Sequence, residues 1–239
     1  MPKIDPKSVH MQIRKRLRAA HDPVRAENEK RYLKSPYRFF GVNIPSLRIL
    51  AKEISNDLGP VSRPTVFGLA RRLWESEYHQ EKTLAIFLLA EHPDCLDIKA
   101  LPVLEKMLGQ CTGWDHTDYI ATSLIGRVLE KDAKAYGHLR KWKRSGNHWV
   151  RRASLISQIP LLRKGQGDRE FFFRLAAGMA GEKDFFIRKA IGWTVREMAK
   201  ADPEAAFGFL MSIRDRASGL TLREGAKRLP ESMKREVLA

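Results

Sequence analysis

The residues of this chain that could do chemistry gather around Gly113-Trp114-Asp115-His116-Thr117-Asp118-Tyr119. Trp114 and Asp118 are four positions apart, so on a helix they share a face. Asp118 is also one rung of a ladder. Arg48, Lys82, Asp118, Arg152, Lys189 and Glu224 open helix-period runs at steps of 34, 36, 34, 37 and 35 residues. Its nearest rungs, Lys82, Arg152 and Lys189, are basic, so Asp118 interrupts a cationic row. The plain reason for a carboxylate there is the helix macrodipole, which favours acids in the first turn. Asp115, however, is already placed to cap that helix. The chemical reason is that a carboxylate can stabilise a developing sugar cation or position a water. Sequence alone leaves both open.

Two further helices carry candidates. After Asp184, the residues Phe186, Lys189, Trp193, Arg196 and Lys200 recur every three or four positions and share one face. Ile187, Ala190, Ile191 and Met198 form the apolar stripe. Cations with an interleaved aromatic suit a nucleic-acid surface; the alternative is that Trp193 packs on a neighbouring helix. After Asn147, Arg152 lies in line with Trp149, Ile156 and Ile159. A cation in a first turn gains nothing from the macrodipole, so it needs a partner. That partner is either a phosphate, with Arg151, Arg144 and Lys143 nearby, or a carboxylate such as Asp115 or Asp118. Trp74 and Trp142 sit in apolar stripes and read as core.

The positioning elements read as helices almost throughout, with strand patterning close to absent. A ladder period near 35 residues is the mark of a helical-repeat array with one helix pair per step. The expected fold is therefore all-α, a helical-repeat solenoid forming one domain over residues 1–239. Residues 1–20 would hold a basic first helix, and the charged segment 230–239 is expected to fray. Asp22, Asp115 and Asp132 read as helix N-caps, and Asp168 and Asp184 open further helices.

Formal net charge is +16, from 44 Lys and Arg against 28 Asp and Glu. That excess points to a polyanionic partner. Cys95 and Cys111 lack metal-ligand spacing, and no HExxH, GxxxxGK[ST] or GxGxxG motif is present. No metal and no nucleotide cofactor is expected. Met1-Pro-Lys-Ile-Asp lacks the apolar stretch of a signal peptide, and no run approaches the ~18 apolar residues of a membrane span. The expected setting is soluble and intracellular, with nucleic acid or an acidic membrane surface as the polyanion.

Taken together, these motifs resemble the AlkD-type DNA alkylation repair glycosylases, built from HEAT-like helical repeats. The resemblance runs from about Glu29 to Leu229. Its most specific pieces are Arg31-Tyr32-Leu33-Lys34, Phe40-Gly41-Val42, Trp114 to Asp118, Trp149 to Ala153, and Lys183 to Trp193. It implies a solenoid with a concave basic face around duplex DNA, acting as a monomer in the cytoplasm, associated with the nucleoid through DNA and without a membrane partner. It also implies release of cationic N3- and N7-alkylpurines without metal or cofactor, the base staying stacked. Asp118 would be the catalytic carboxylate, Trp114 and Trp193 would hold the lesion's backbone, and Arg152 would lie beside them. Tyr32, Arg48, Lys82, Arg151, Lys189 and Arg196 are the expected DNA-binding residues. Gly113 stands where the family often has an aromatic residue. His116 and Thr117 replace small or apolar residues. A non-catalytic DNA-binding repeat protein and a scaffold for acidic partners are the competing readings. Neither needs a carboxylate between two tryptophans.

Overall fold

The computed structural model describes residues 5–239. Residues 1–4, part of the expected first helix and of the leader reading, lie outside the described residues. The protein is all-α. Among the described residues the sole β-type pairing is an isolated bridge between Arg38 and Tyr78. The described chain groups into two compact units.

The first unit, residues up to Leu96 plus Gln110–His116, contains α1 (Pro6–Ala19), α2 (Pro23–Leu33), α3 (Ile44–Leu58), α4 (Arg63–Trp74) and α5 (His79–Glu91). The starts of α1 to α3 follow capping logic. Asp5, Asp22 and Asn43 accept from first-turn N–H groups, and proline, which lacks an N–H, stands first in α1 and α2 and second in α3. The aromatic loop after α2 turns at Gly41, φ +71°. A Cβ there would fall 2.1 Å from the Asp22 carbonyl oxygen, so a side chain is excluded twice over.

The second unit, Asp97–Gly109 plus Thr117–Ala239, holds α6 (Leu101–Gly109), α8 (Gly126–Lys131), α9 (Tyr136–Trp142), α10 (His148–Ile156) and α11 (Ile159–Leu162). It continues through α12 (Arg169–Ala177), α13 (Phe185–Met198), α14 (Pro203–Ile213), α15 (Gly219–Gly225) and α16 (Glu231–Leu238). Helix α7 (Trp114–Tyr119) contributes residues to both units. Pro160, which cannot donate to the helix ladder, lies in the short α11 after the break that follows α10. The segment after Pro230, expected to fray, is a helix instead, anchored by the buried Val237.

One helix departs from the expected continuous run to Lys131. Ile120–Ile125 is π-helical, a local widening that absorbs an extra residue. The apolar stripe Ile120, Leu124, Ile125 and Val128 remains fully buried.

The sequence period reappears in the polar contacts between repeats. In the first unit Trp74 Nε1 donates to Gln110, 36 residues on, and Thr83 meets His116, 33 on. In the second, Asp118 pairs with Arg152, Arg163 with Glu197, and Lys189 with Glu224, at separations of 34, 34 and 35. Within each unit these pairs span close to one sequence period.

Candidate functional site

In the second unit, Asp118 near the end of α7 is clamped by Arg152 of α10. Arg152 Nε donates to Oδ1 at 2.7 Å and Nη2 to Oδ2 at 2.8 Å. Such a two-pronged contact fixes the plane of the carboxylate as well as its position. The Arg152 side chain is 4% exposed and that of Asp118 15%, so the pair is largely withdrawn from water. The partner that Arg152 needed is thus a carboxylate. Its third contact holds it from behind: Nη1 donates to the Phe186 carbonyl at 2.8 Å. The guanidinium carbon lies 5.7 Å from the Trp193 ring centroid, within cation–π range.

The face of α13 predicted from spacing forms as expected on its buried side, with Ile187, Ala190, Ile191 and Met198 enclosed. Its basic residues are not loose cations. Lys189 Nζ donates to Glu224 Oε2 at 2.9 Å, Arg196 bonds Glu224 Oε1, and Lys227 Nζ donates to Oε2 at 2.7 Å. Burial pushes the Glu224 carboxyl up, but the bonds from Lys227 and Lys189 outweigh it and the net shift is downward. α15 can come this close because Gly192 faces it; a Cβ there would lie 2.6 Å from that of Glu224. Arg151, also expected on the DNA face, gives its guanidinium to the Ser145 carbonyl at 2.9 Å and to Glu182 at 3.4 Å.

In the first unit, Tyr32 is 74% and Trp114 37% exposed, both large for aromatic rings. They meet edge to face with centroids 6.3 Å apart. Arg48 is exposed, its guanidinium carbon 4.3 Å from the Phe87 ring centroid. Lys82 differs from its expected place on a basic surface. It is 7% exposed, its ammonium bonds the Trp74 carbonyl, and it lies over the Tyr37 and Trp74 rings. Burial lowers its pKa, and phosphate has no route to it without local opening.

Asp115, expected as a cap, is used differently. Its Oδ2 lies 2.5 Å from His79 Nε2. Burial pushes its carboxyl up, but the hydrogen bond from His79 outweighs it and the carboxyl is held at about 2. His79 is stacked between Phe39, at 4.4 Å, and His116, at 4.2 Å. Burial, with the His79 charge next, drives His116 down to about 3, so it is neutral. Thr83 Oγ1 donates to the His79 carbonyl and accepts from His116 Nε2 at 3.0 Å. Sequence reasoning missed His79 and Thr83, which no spacing signal marks; Phe186 is read from spacing as part of the α13 face, but the role of its carbonyl is not.

His79, Asp115 and His116 bring two nitrogens and one oxygen within 4.8 Å of one another. A metal binds an imidazole in the ring plane, about 2 Å from nitrogen. Two rings stacked at 4.2 Å and inclined by 24° cannot both contain one ion in their planes. The cluster as built is a hydrogen-bonded stack rather than a ligand set.

A family model described as DNA alkylation repair enzyme matches residues 13–229. The chain belongs to the DNA alkylation repair enzyme family. Solved structures agree on the fold of this family member. A structure titled a predicted DNA alkylation repair enzyme from Enterococcus faecalis superposes with a TM-score of 0.80 at 20% identity, covering 88% of this chain and 97% of that one. AlkD2 from Streptococcus mutans gives a TM-score of 0.60 at 16% identity, covering 79% of this chain and 91% of the other. No curated sequence relative matches. Among the described residues of this alkylation repair protein, no helix is long and apolar enough to cross a membrane.

Proposed function

We propose that this alkylation repair protein is a DNA glycosylase that releases cationic N3- and N7-alkylated purines from duplex DNA. The observation that carries the reading is the clamped Asp118. Glycosidic cleavage builds positive charge on the sugar, and a fixed carboxylate stabilises that charge without reorganising. Arg152 fixes the position and plane of the Asp118 carboxyl group, and the 15% exposure of that side chain gives sugar and water an approach. Trp193, on the far side of Arg152, supplies a flat surface for the deoxyribose backbone. In the first unit, Tyr32 and Trp114 offer exposed aromatic edges and Arg48 a cation for phosphate.

The substrate class follows from proton accounting. A neutral base leaves as an anion unless an acid protonates it. Asp118 is committed to Arg152 as a carboxylate, and Asp115 is bonded to His79 and held at about 2. Neither is a proton donor near neutral pH. A base already cationic, such as 7-methylguanine or 3-methyladenine, departs neutral and needs no acid. The test is a panel of duplex oligonucleotides carrying one lesion each, scored for abasic sites. Cationic lesions are released; uracil, hypoxanthine and 1,N6-ethenoadenine stay. Efficient excision of uracil or hypoxanthine overturns the reading.

A further inference from the structure

The clamp on Asp118 depends on where the Phe186 carbonyl points, and that depends on the first turn of α13. Asp184 sets this turn. Its Oδ1 accepts from Phe186 N at 2.8 Å and from Ile187 N at 3.3 Å. Those N–H groups have no partner within the helix, so the cap decides whether the turn is closed or frayed. With the turn closed, the Phe186 carbonyl faces Arg152 Nη1 at 2.8 Å. Its side chain is gripped as well: the Trp149 ring centroid is 4.7 Å away and the His148 ring lies parallel at 6.0 Å. His148 Nδ1 is in turn 3.8 Å from Asp184 Oδ2.

We infer that Asp184 is a positioning residue for the reaction: it caps α13 so that the Phe186 carbonyl holds Arg152, and through Arg152 the carboxylate of Asp118, in place. The inference rests on the proposed role of Asp118, but the contact chain is a property of the folded protein. An ordinary N-cap stabilises its helix and nothing more. This one ends on the carbonyl that anchors the site's buried arginine. Asparagine caps as well as aspartate, whereas alanine does not. The requirement is therefore for a side-chain oxygen, not for a charge.

The experiment compares the parent protein with Asp184→Ala, Asp184→Asn and, as a matched cap deletion on another helix, Asp168→Ala. Asp168 caps α12 through Phe171 N at 2.8 Å and lies outside the relay. The first readout needs no substrate: solvent exchange of the Arg152 Nε–H by NMR. It accelerates about five- to tenfold in Asp184→Ala, the factor expected for a lost cap, and stays at the parent value in Asp184→Asn and Asp168→Ala. The second is release of 7-methylguanine. There kcat falls by a similar factor in Asp184→Ala with KM unchanged, and Asp184→Asn restores it. Equal Arg152 exchange in Asp184→Ala and Asp168→Ala overturns the positioning role. If the parent releases no base, the glycosylase reading fails, and the exchange measurement still decides the relay.

Discussion

Replacing Asp118 by asparagine keeps the size of the side chain and removes its charge. The carboxamide can accept one of the two Arg152 bonds; its NH2 group faces the other donor and repels it. Arg152, 4% exposed, is then a buried cation without a counter-charge. Breaking a buried pair from one side costs about 3–5 kcal/mol. For a chain of this size each kcal/mol lowers Tm by about 2–4 °C, so a drop of ~6–20 °C is expected. The catalytic loss is separate: removing one preorganised electrostatic stabiliser costs about 10²–10³ in rate. Single-turnover release of 7-methylguanine, run well below both melting temperatures, reads the second effect free of the first. DNA binding is unchanged or tighter, because a carboxylate that repels phosphate has gone. A variant that cleaves at the parent rate would show that Asp118 is a structural acid, and the mechanism would be wrong. Parent-like Tm with lost activity would instead show that Arg152 finds another partner.

Duplex binding weakens with salt, the log–log slope steepening by about 0.9 per phosphate contacted; a titration insensitive to salt rules out a phosphate-tracking surface. Stability falls with acidity: His116 takes a proton in the unfolded chain below its ordinary value but in the folded chain only near 3. Below about pH 6.5 each unit therefore costs up to ~1.4 kcal/mol. Denaturant melts from pH 7 to 4 check this, and His116→Gln should flatten the profile. Gly192→Ala, whose methyl would meet the Glu224 side chain and the Thr221 carbonyl, destabilises by about 1–3 kcal/mol. A melting curve matching the parent's would mean α15 shifts freely.

Much of this architecture is legible in the sequence because its signals are local. Asp22 and Asp132 cap as read, and the helices read as opening at Asp168 and Asp184 start there, with those acids accepting first-turn N–H groups. The apolar stripes of α13 and of the segment after Asp118 sank into the core as their spacing requires. What failed was decided by partners distant in sequence. Lys82 reads as a surface cation until the Trp74 carbonyl encloses it. Asp115 reads as a cap until His79, 36 residues earlier, takes its carboxylate. Glu81, unremarkable in sequence, is fully buried and gripped by Arg14 and His10 from α1. The π-helical turn is hidden because the stripe it interrupts satisfies an α-helical period equally well.

The ladder that announces the repeats also bears on why the proposed reactive group stands among them. Stacked repeats place residues about 35 apart in register, and polar rungs pair across two of the seams, Asp118 with Arg152 and Lys189 with Glu224. At the seam joining α13 and α15, Glu224 is buried and collects Lys189, Arg196 and Lys227. That cluster carries net positive charge and closes on itself. At the seam of α7 and α10 the same spacing yields Asp118 and Arg152, a pair matched in charge, with the Asp118 side chain 15% exposed against 2% for Glu224. A structural seam becomes a candidate active site by shortening the acid from glutamate to aspartate and choosing arginine, whose fork takes both oxygens. Asp118→Glu separates these ideas. The longer carboxylate keeps the charge and can still pair with Arg152, but moves it by about 1.5 Å, the length of one C–C bond, and misplacement of that size costs about 10² in rate. Near-parent stability with strongly reduced base release is the expected result, and parent-level release would show that charge alone, not its placement, is what the seam provides.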